Sequence, residues 1–191
     1  MKKISIYTLW VFVHLSLMAQ LVYAADRIPL SGEAFPDVFI AAPENPSDKD
    51  YLGLTGTGPF KVSQIKGDLI ILEIFSMYCP YCQKEAPIIN ELYQLMNKDT
   101  SLRNRIKIIG VGAGNTSFEV GVFRNQYTVQ FPLVPDESFT VHQAVGGVRT
   151  PYFFVIRLNP DGSNKLIYSK VGSVQNASQF LENIIHEAGW K

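Results

Sequence analysis

One stretch constrains this chain more than any other. An apolar run, Leu69-Ile70-Ile71-Leu72-Glu73-Ile74-Phe75, is followed within a few residues by Cys79-Pro80-Tyr81-Cys82 and then by a helical pattern. The run is rich in β-branched and aromatic residues and reads as a buried strand. From Gln83 to Met96 the apolar residues Ala86, Ile89, Leu92, Tyr93 and Met96 recur at helical spacing. The two cysteines, the only ones in the chain, therefore sit at a strand-to-helix junction. Unpaired N–H groups and the dipole at such a helix N-terminus favour an anion. The anion here is a thiolate, the reactive form of cysteine.

Pro80 suits the first helical turn, where its missing N–H costs nothing. Two sulfurs at this spacing close a small ring, a Cys79–Cys82 disulfide, without straining the helix. Cys79, at the exposed tip, is expected to attack a partner disulfide, and Cys82, one turn inside, to resolve the mixed disulfide. A structural zinc site needs four ligands, and no second cysteine pair exists. Neither His142 nor His186 lies at zinc-finger spacing from Cys82 or from the other, so no metal is expected.

The N-terminus carries an export pattern. Lys2 and Lys3 precede an apolar stretch from Ile4 to Met18, about 15 residues, and Val22-Tyr23-Ala24 offers small residues for cleavage. Residues 1–24 thus read as a signal peptide. The run falls short of the ~20 residues of a membrane span, so membrane attachment is expected only if the segment stays uncleaved. No cysteine follows the apolar core, which argues against a lipid-modified end. Cleavage after Ala24 leaves 167 residues (191 − 24), enough for one domain with a sizeable core. It removes Lys2 and Lys3 and no acid, tipping the balance of 17 basic and 17 acidic residues slightly acidic. Nucleic acid and anionic membrane surfaces are poor partners for such a chain. In an exported setting, two cysteines so close in sequence are better suited to chemistry than to stapling a fold.

The remaining pattern is mixed α/β. Residues 25–68 are rich in proline and glycine and read as loop, with Val38-Phe39-Ile40 as an edge strand. Arg105 to Gly112 reads as a second buried strand. Gly114-Asn115-Thr116-Ser117 turns into a helix reaching Tyr127, capped by Thr116 or Ser117. Phe131 to Val134 is a short extended piece and Ser138 to Val145 a short helix. Tyr152 to Leu158 is an apolar strand, and Asn159-Pro160-Asp161-Gly162 turns it into a hairpin with Lys165 to Val171. A final helix spans Ala177 to Ala188, stopped by Gly189. Strand–helix–strand–helix, hairpin, helix gives an α/β sandwich with a mixed sheet.

The block from Ile74 to Pro87 resembles the active-site block of thioredoxin-fold proteins, and in particular the exported TlpA/ResA branch of the redoxin (AhpC/TSA-related) proteins. Its motif runs F-x-x-x-W-C-x-x-C-x-x-E-x-P, with Glu85 and Pro87 matching. The resemblance extends from about Ser31 to about Glu187, and implies a thioredoxin-like three-layer α/β/α sandwich over residues 25–191. It also implies a cis-proline loop facing the dithiol. Thr150-Pro151 matches that position, with the Thr150 backbone available to a bound substrate chain. Tyr78, Pro80 and Tyr81 are the remaining substrate-side candidates. Tyr78 stands where the branch has Trp, and the Pro80-Tyr81 dipeptide is more like that of glutaredoxins.

Two acids are candidates for proton handling. Glu73 precedes Cys79 by six residues, where thioredoxins carry a buried acid. A carboxylate in so apolar a strand has a raised pKa and is placed to accept the proton of Cys82. Glu85, three residues after Cys82, occupies a position that tunes the thiols in the TlpA/ResA branch.

The leading expectation is an exported, periplasmic thiol–disulfide oxidoreductase, a reductant of protein disulfides, needing no cofactor. Its partners would be cysteine-containing exported proteins and an upstream membrane electron donor, and the chain is expected to act as a monomer. One alternative is a thiol peroxidase, since Ser76-x-x-Cys79 resembles the peroxiredoxin motif and Arg149 is available nearby, although Leu72 replaces its opening proline. A copper-delivery domain using the same thiols would draw on His142.

Overall fold

The computed structural model describes residues 27–190. The signal peptide expected over 1–24 lies outside them. No helix among the described residues is long and apolar enough to cross a membrane.

Helix α1 (Pro46–Leu52) precedes β1 (Leu69–Phe75), α2 (Pro80–Lys98), β2 (Ile106–Ala113) and α3 (Ser117–Tyr127). Then follow β3 (Leu133–Asp136), α4 (Thr140–Ala144), β4 (Tyr152–Leu158), β5 (Asn164–Val171) and α5 (Ala177–Glu187). The strands form one sheet in the order β3-β2-β1-β4-β5. β1 runs parallel to β2, and β2 to β3, while β4 is antiparallel to both β1 and β5. The sheet is mixed, as expected, and β1 lies at its centre with both faces covered, which is why its sequence is almost wholly apolar.

Side chains alternate across a strand, and β1 sorts accordingly. Leu69, Ile71 and Phe75 join Cys82, Ala86 and Ile89 of α2 and Phe180 and Ile184 of α5 in one core. Ile70, Leu72 and Ile74 face the opposite core with Leu52 of α1 and Val141 of α4. Helices α2, α3 and α5 thus cover one face and α1, α4 and the N-terminal loops the other, giving the three-layer α/β/α sandwich. Asp48 of α1 and Arg124 of α3 form a partly buried ion pair at 2.7 Å.

Three expectations are corrected. Residues 46–52 are a helix rather than loop, begun by Pro46 and closed by Gly53 in the left-handed region at φ 68°. Val38-Phe39-Ile40 forms no strand; a single antiparallel bridge joins Ile40 to Phe60. The extended piece near Phe131 starts two residues later, where Leu133 to Asp136 pair with Gly110 to Ala113. Elsewhere the bounds agree to within a few residues, and Thr116 is the cap of α3, its Oγ1 accepting from the Glu119 N–H.

Gly110 sits between Glu73 of β1 and Leu133 of β3 in the ladder. A methyl there would lie 2.5 Å from Leu133 Cδ2 and 3.3 Å from the Phe75 ring. Gly110→Ala is therefore expected to cost about 1–3 kcal/mol by overpacking, read as a lower urea midpoint at unchanged slope.

Candidate active site

Cys79 is the N-cap of α2, in extended conformation, with Pro80 at the first helical position. The approach from β1 is held by the backbone and by distant side chains. The Cys79 N–H donates to Ser76 O at 3.0 Å. The Met77 N–H donates to Asn115 Oδ1 at 2.9 Å, and Gln83 Nε2 donates to Met77 O at 2.8 Å. Asn115 is fully buried at the end of β2. Neither Asn115 nor Gln83 was singled out from the sequence. The signal for Asn115 was its place after a parallel strand, where such folds build their sites.

The two thiols differ sharply in environment. Both are free, Cys79 half-buried and Cys82 fully buried. The Cys79 thiol donates to the Thr150 carbonyl at 3.3 Å. Burial alone opposes its ionisation, but the Thr150 hydroxyl and the N–H groups of Cys82 and Tyr81 favour the thiolate. The balance holds Cys79 below the ordinary thiol range. Burial pushes Cys82 well up, and the Glu73 charge beneath it adds to the shift. Of the two, Cys79 is the thiol whose ionisation its surroundings favour, and Cys82 the one whose ionisation they oppose.

Glu73 is the carboxylate whose charge bears on Cys82. It shares a face of β1 with Ile71 and Phe75 and so points into the core that holds Cys82. The residue is 4% exposed. Burial first, then the charges of Glu85 and Cys79, push its carboxyl up to about 8. Glu85 is buried too, rather than solvated on the helix surface. Its Oε1 accepts from the Val174 N–H at 2.6 Å and its Oε2 from the Ser173 hydroxyl, which ties α2 to the loop between β5 and α5. Burial raises its pKa and those two donors oppose the rise. The Glu85 charge is one of the causes that raise the pKa of Glu73.

The Thr150–Pro151 peptide bond is cis. With Thr150 bonded to Cys79, the loop before β4 faces the dithiol as expected. Pro80 and Tyr81 are exposed. Tyr78 is 66% exposed, and its hydroxyl donates to Glu119 Oε1, while Glu119 Oε2 accepts from Thr116 N–H and Oγ1. Tyr78 is thus an aromatic held against the start of α3 by a residue 41 positions away, a contact the sequence did not suggest. His142 lines the cavity beside the dithiol, but its Nε2 donates to the Val148 carbonyl at 2.9 Å. Arg149 lines the same cavity as Ser76 and Thr150.

A mixed sheet that places a Cys-x-x-Cys at a helix start, one thiol ionisable and one buried, opposite a cis-proline loop, defines a thioredoxin-fold oxidoreductase. Comparison with known proteins narrows this. Residues 32–162 match the AhpC/TSA family, and the chain belongs to it. The thiol-disulfide oxidoreductase ResA of Geobacillus thermodenitrificans is 27% identical over 124 residues, 65% of this chain and 67% of that protein. Among solved structures, StoA from Bacillus subtilis superposes with a TM-score of 0.55 at 23% identity, covering 78% of this chain and 98% of StoA. A thiol:disulfide interchange protein from Bacteroides sp. gives a TM-score of 0.58 at 14% identity, covering 82% of this chain and 88% of that one. These two likenesses are of fold.

Proposed function

We propose that this chain is an exported thiol–disulfide oxidoreductase that reduces protein disulfides through Cys79 and Cys82. The asymmetry of the two thiols is the observation that carries this. The Cys79 thiolate attacks one sulfur of a partner disulfide, forming a mixed disulfide and releasing the other sulfur as a thiolate that takes up a proton. Cys82 gives its proton to the Glu73 carboxylate and attacks Cys79 Sγ, expelling the second partner thiol. The chain is left with a Cys79–Cys82 disulfide and two electrons have passed to the partner. A membrane electron donor would restore the dithiol. Thr150 touches the attacking sulfur, and Thr150, Pro151, Tyr78, Pro80 and Tyr81 would contact the partner chain.

The direction of flow is supported by what surrounds the reduced pair. A strong oxidant owes its potential to a heavily stabilised thiolate. Here burial opposes the Cys79 thiolate and Cys82 has an adverse carboxylate below it. Export is supported by the Lys2-to-Ala24 pattern.

The expected reduction potential lies near that of thioredoxin, about −270 mV, together with dithiothreitol-driven reduction of insulin. A potential near about −120 mV reverses the assigned direction. The peroxidase reading gains from Arg149 and Ser76 sharing a cavity. It predicts thiol-dependent peroxide consumption faster than that of free cysteine, without insulin reduction.

A further inference from the structure

Two cavities flank the cis-proline loop and share Val148 and Arg149. One, of about 530 Å³, opens beside the dithiol between Tyr78, Thr150, Phe139 and His142. The other, of about 700 Å³, runs along the end of the sheet past Tyr152, Lys170 and Val171. Their combined lining includes Arg149, Lys170 and His142 and no aspartate or glutamate.

The cations are available. Arg149 and Lys170 are exposed and take part in no ion pair among the described residues. Lys170 Nζ rests 5.3 Å from the centre of the Tyr168 ring, which leaves its charge at the surface. Arg149 immediately precedes Thr150, whose carbonyl is 3.3 Å from Cys79 Sγ. Successive residues are 3.8 Å apart along a chain. A substrate chain joined to Cys79 therefore brings its next few residues into the field of Arg149.

We infer that this groove selects protein substrates carrying an aspartate or glutamate within a few residues of the attacked cysteine. The inference rests on the exchange activity proposed above. Val148, Tyr152 and the exposed Val171 supply apolar walls that accept many sequences, so charge is the discriminating feature. Complementary charge at an exposed groove acts mainly on the rate of encounter and is screened by salt.

The test uses two disulfide-bridged peptides that differ only in flanking the cysteines with glutamate or with lysine. Each rate with the reduced protein is divided by the rate of the same peptide with dithiothreitol, which removes intrinsic reactivity. The glutamate peptide is expected to react about three- to tenfold faster at low ionic strength, with the advantage falling as salt is added. The order should reverse in R149E/K170E, whose exposed positions tolerate the change. Equal normalised rates overturn the inference, as does a preference that survives intact in the double variant. If neither peptide is reduced, the exchange activity itself falls, and the inference with it.

Discussion

Replacing Cys79 with alanine abolishes dithiothreitol-driven insulin reduction, an expected loss of roughly a thousandfold or more, because no second nucleophile stands at the surface. Cys82 cannot substitute: it is fully buried, and burial with the nearby Glu73 charge keeps it protonated. Cys82→Ser behaves differently. Cys79 keeps its donors and still attacks, but nothing resolves the product. The variant should accumulate a mixed disulfide visible by mass spectrometry as protein plus one substrate chain, released by added thiol. Retained insulin reduction in Cys79→Ala would sink the assignment. If instead Cys79→Ser traps substrate and Cys82→Ser does not, the roles of the two thiols are exchanged.

Those roles were legible in the sequence because a continuous apolar strand, a Cys-x-x-Cys and a helical repeat are all local patterns. β1 and β4 have the bounds their composition predicts, since a strand buried on both faces has few polar residues to blur its ends. Helix α1 was missed for the opposite reason. It has seven residues, only Leu52 buried among its apolar ones, and lies in a segment dense in proline and glycine, so no periodicity could emerge. β3 was displaced because its start is decided by pairing with Gly110 to Ala113, not by its own residues.

The site divides in the same way. Cys79, Cys82, Glu73 and the Thr150–Pro151 loop followed from spacing and resemblance. The partners that hold them did not: Asn115 on Met77, Glu119 on Tyr78, and Ser173 and Val174 on Glu85 are separated by 38, 41, 88 and 89 residues. Contacts of that range are set by which loops meet at the end of the sheet. Asp136 shows the effect. Its carboxylate accepts from the Val141 and His142 N–H groups and so fixes α4 beside the dithiol, and nothing in its sequence neighbourhood marks it.

Glu73→Gln separates chemistry from stability, with a sign that depends on pH. As the base for Cys82, Glu73 must be ionised, and its carboxyl is held up to about 8 against an ordinary 4.5. The resolving step in the wild type should therefore accelerate as pH rises through about 8. In Glu73→Gln that inflection disappears and the step slows by roughly a hundredfold, the lower range for losing a general base. Stability moves the other way. A buried acid with a raised pKa binds its proton more tightly folded than unfolded. Wild-type stability thus declines as pH climbs from about 4.5 through about 8. At about 1.4 kcal/mol per tenfold change in proton affinity, the ceiling of that decline is roughly 5 kcal/mol. Glutamine carries no charge to bury, so the variant should be the more stable protein above pH 8, by about 2 kcal/mol or more, with the difference gone near pH 4. Urea unfolding at the two pH values measures the stability arm, and single-turnover decay of the Cys79 mixed disulfide measures the chemical arm. A variant that resolves at the wild-type rate with the wild-type pH profile would leave Glu73 a destabilising buried acid with no part in the exchange.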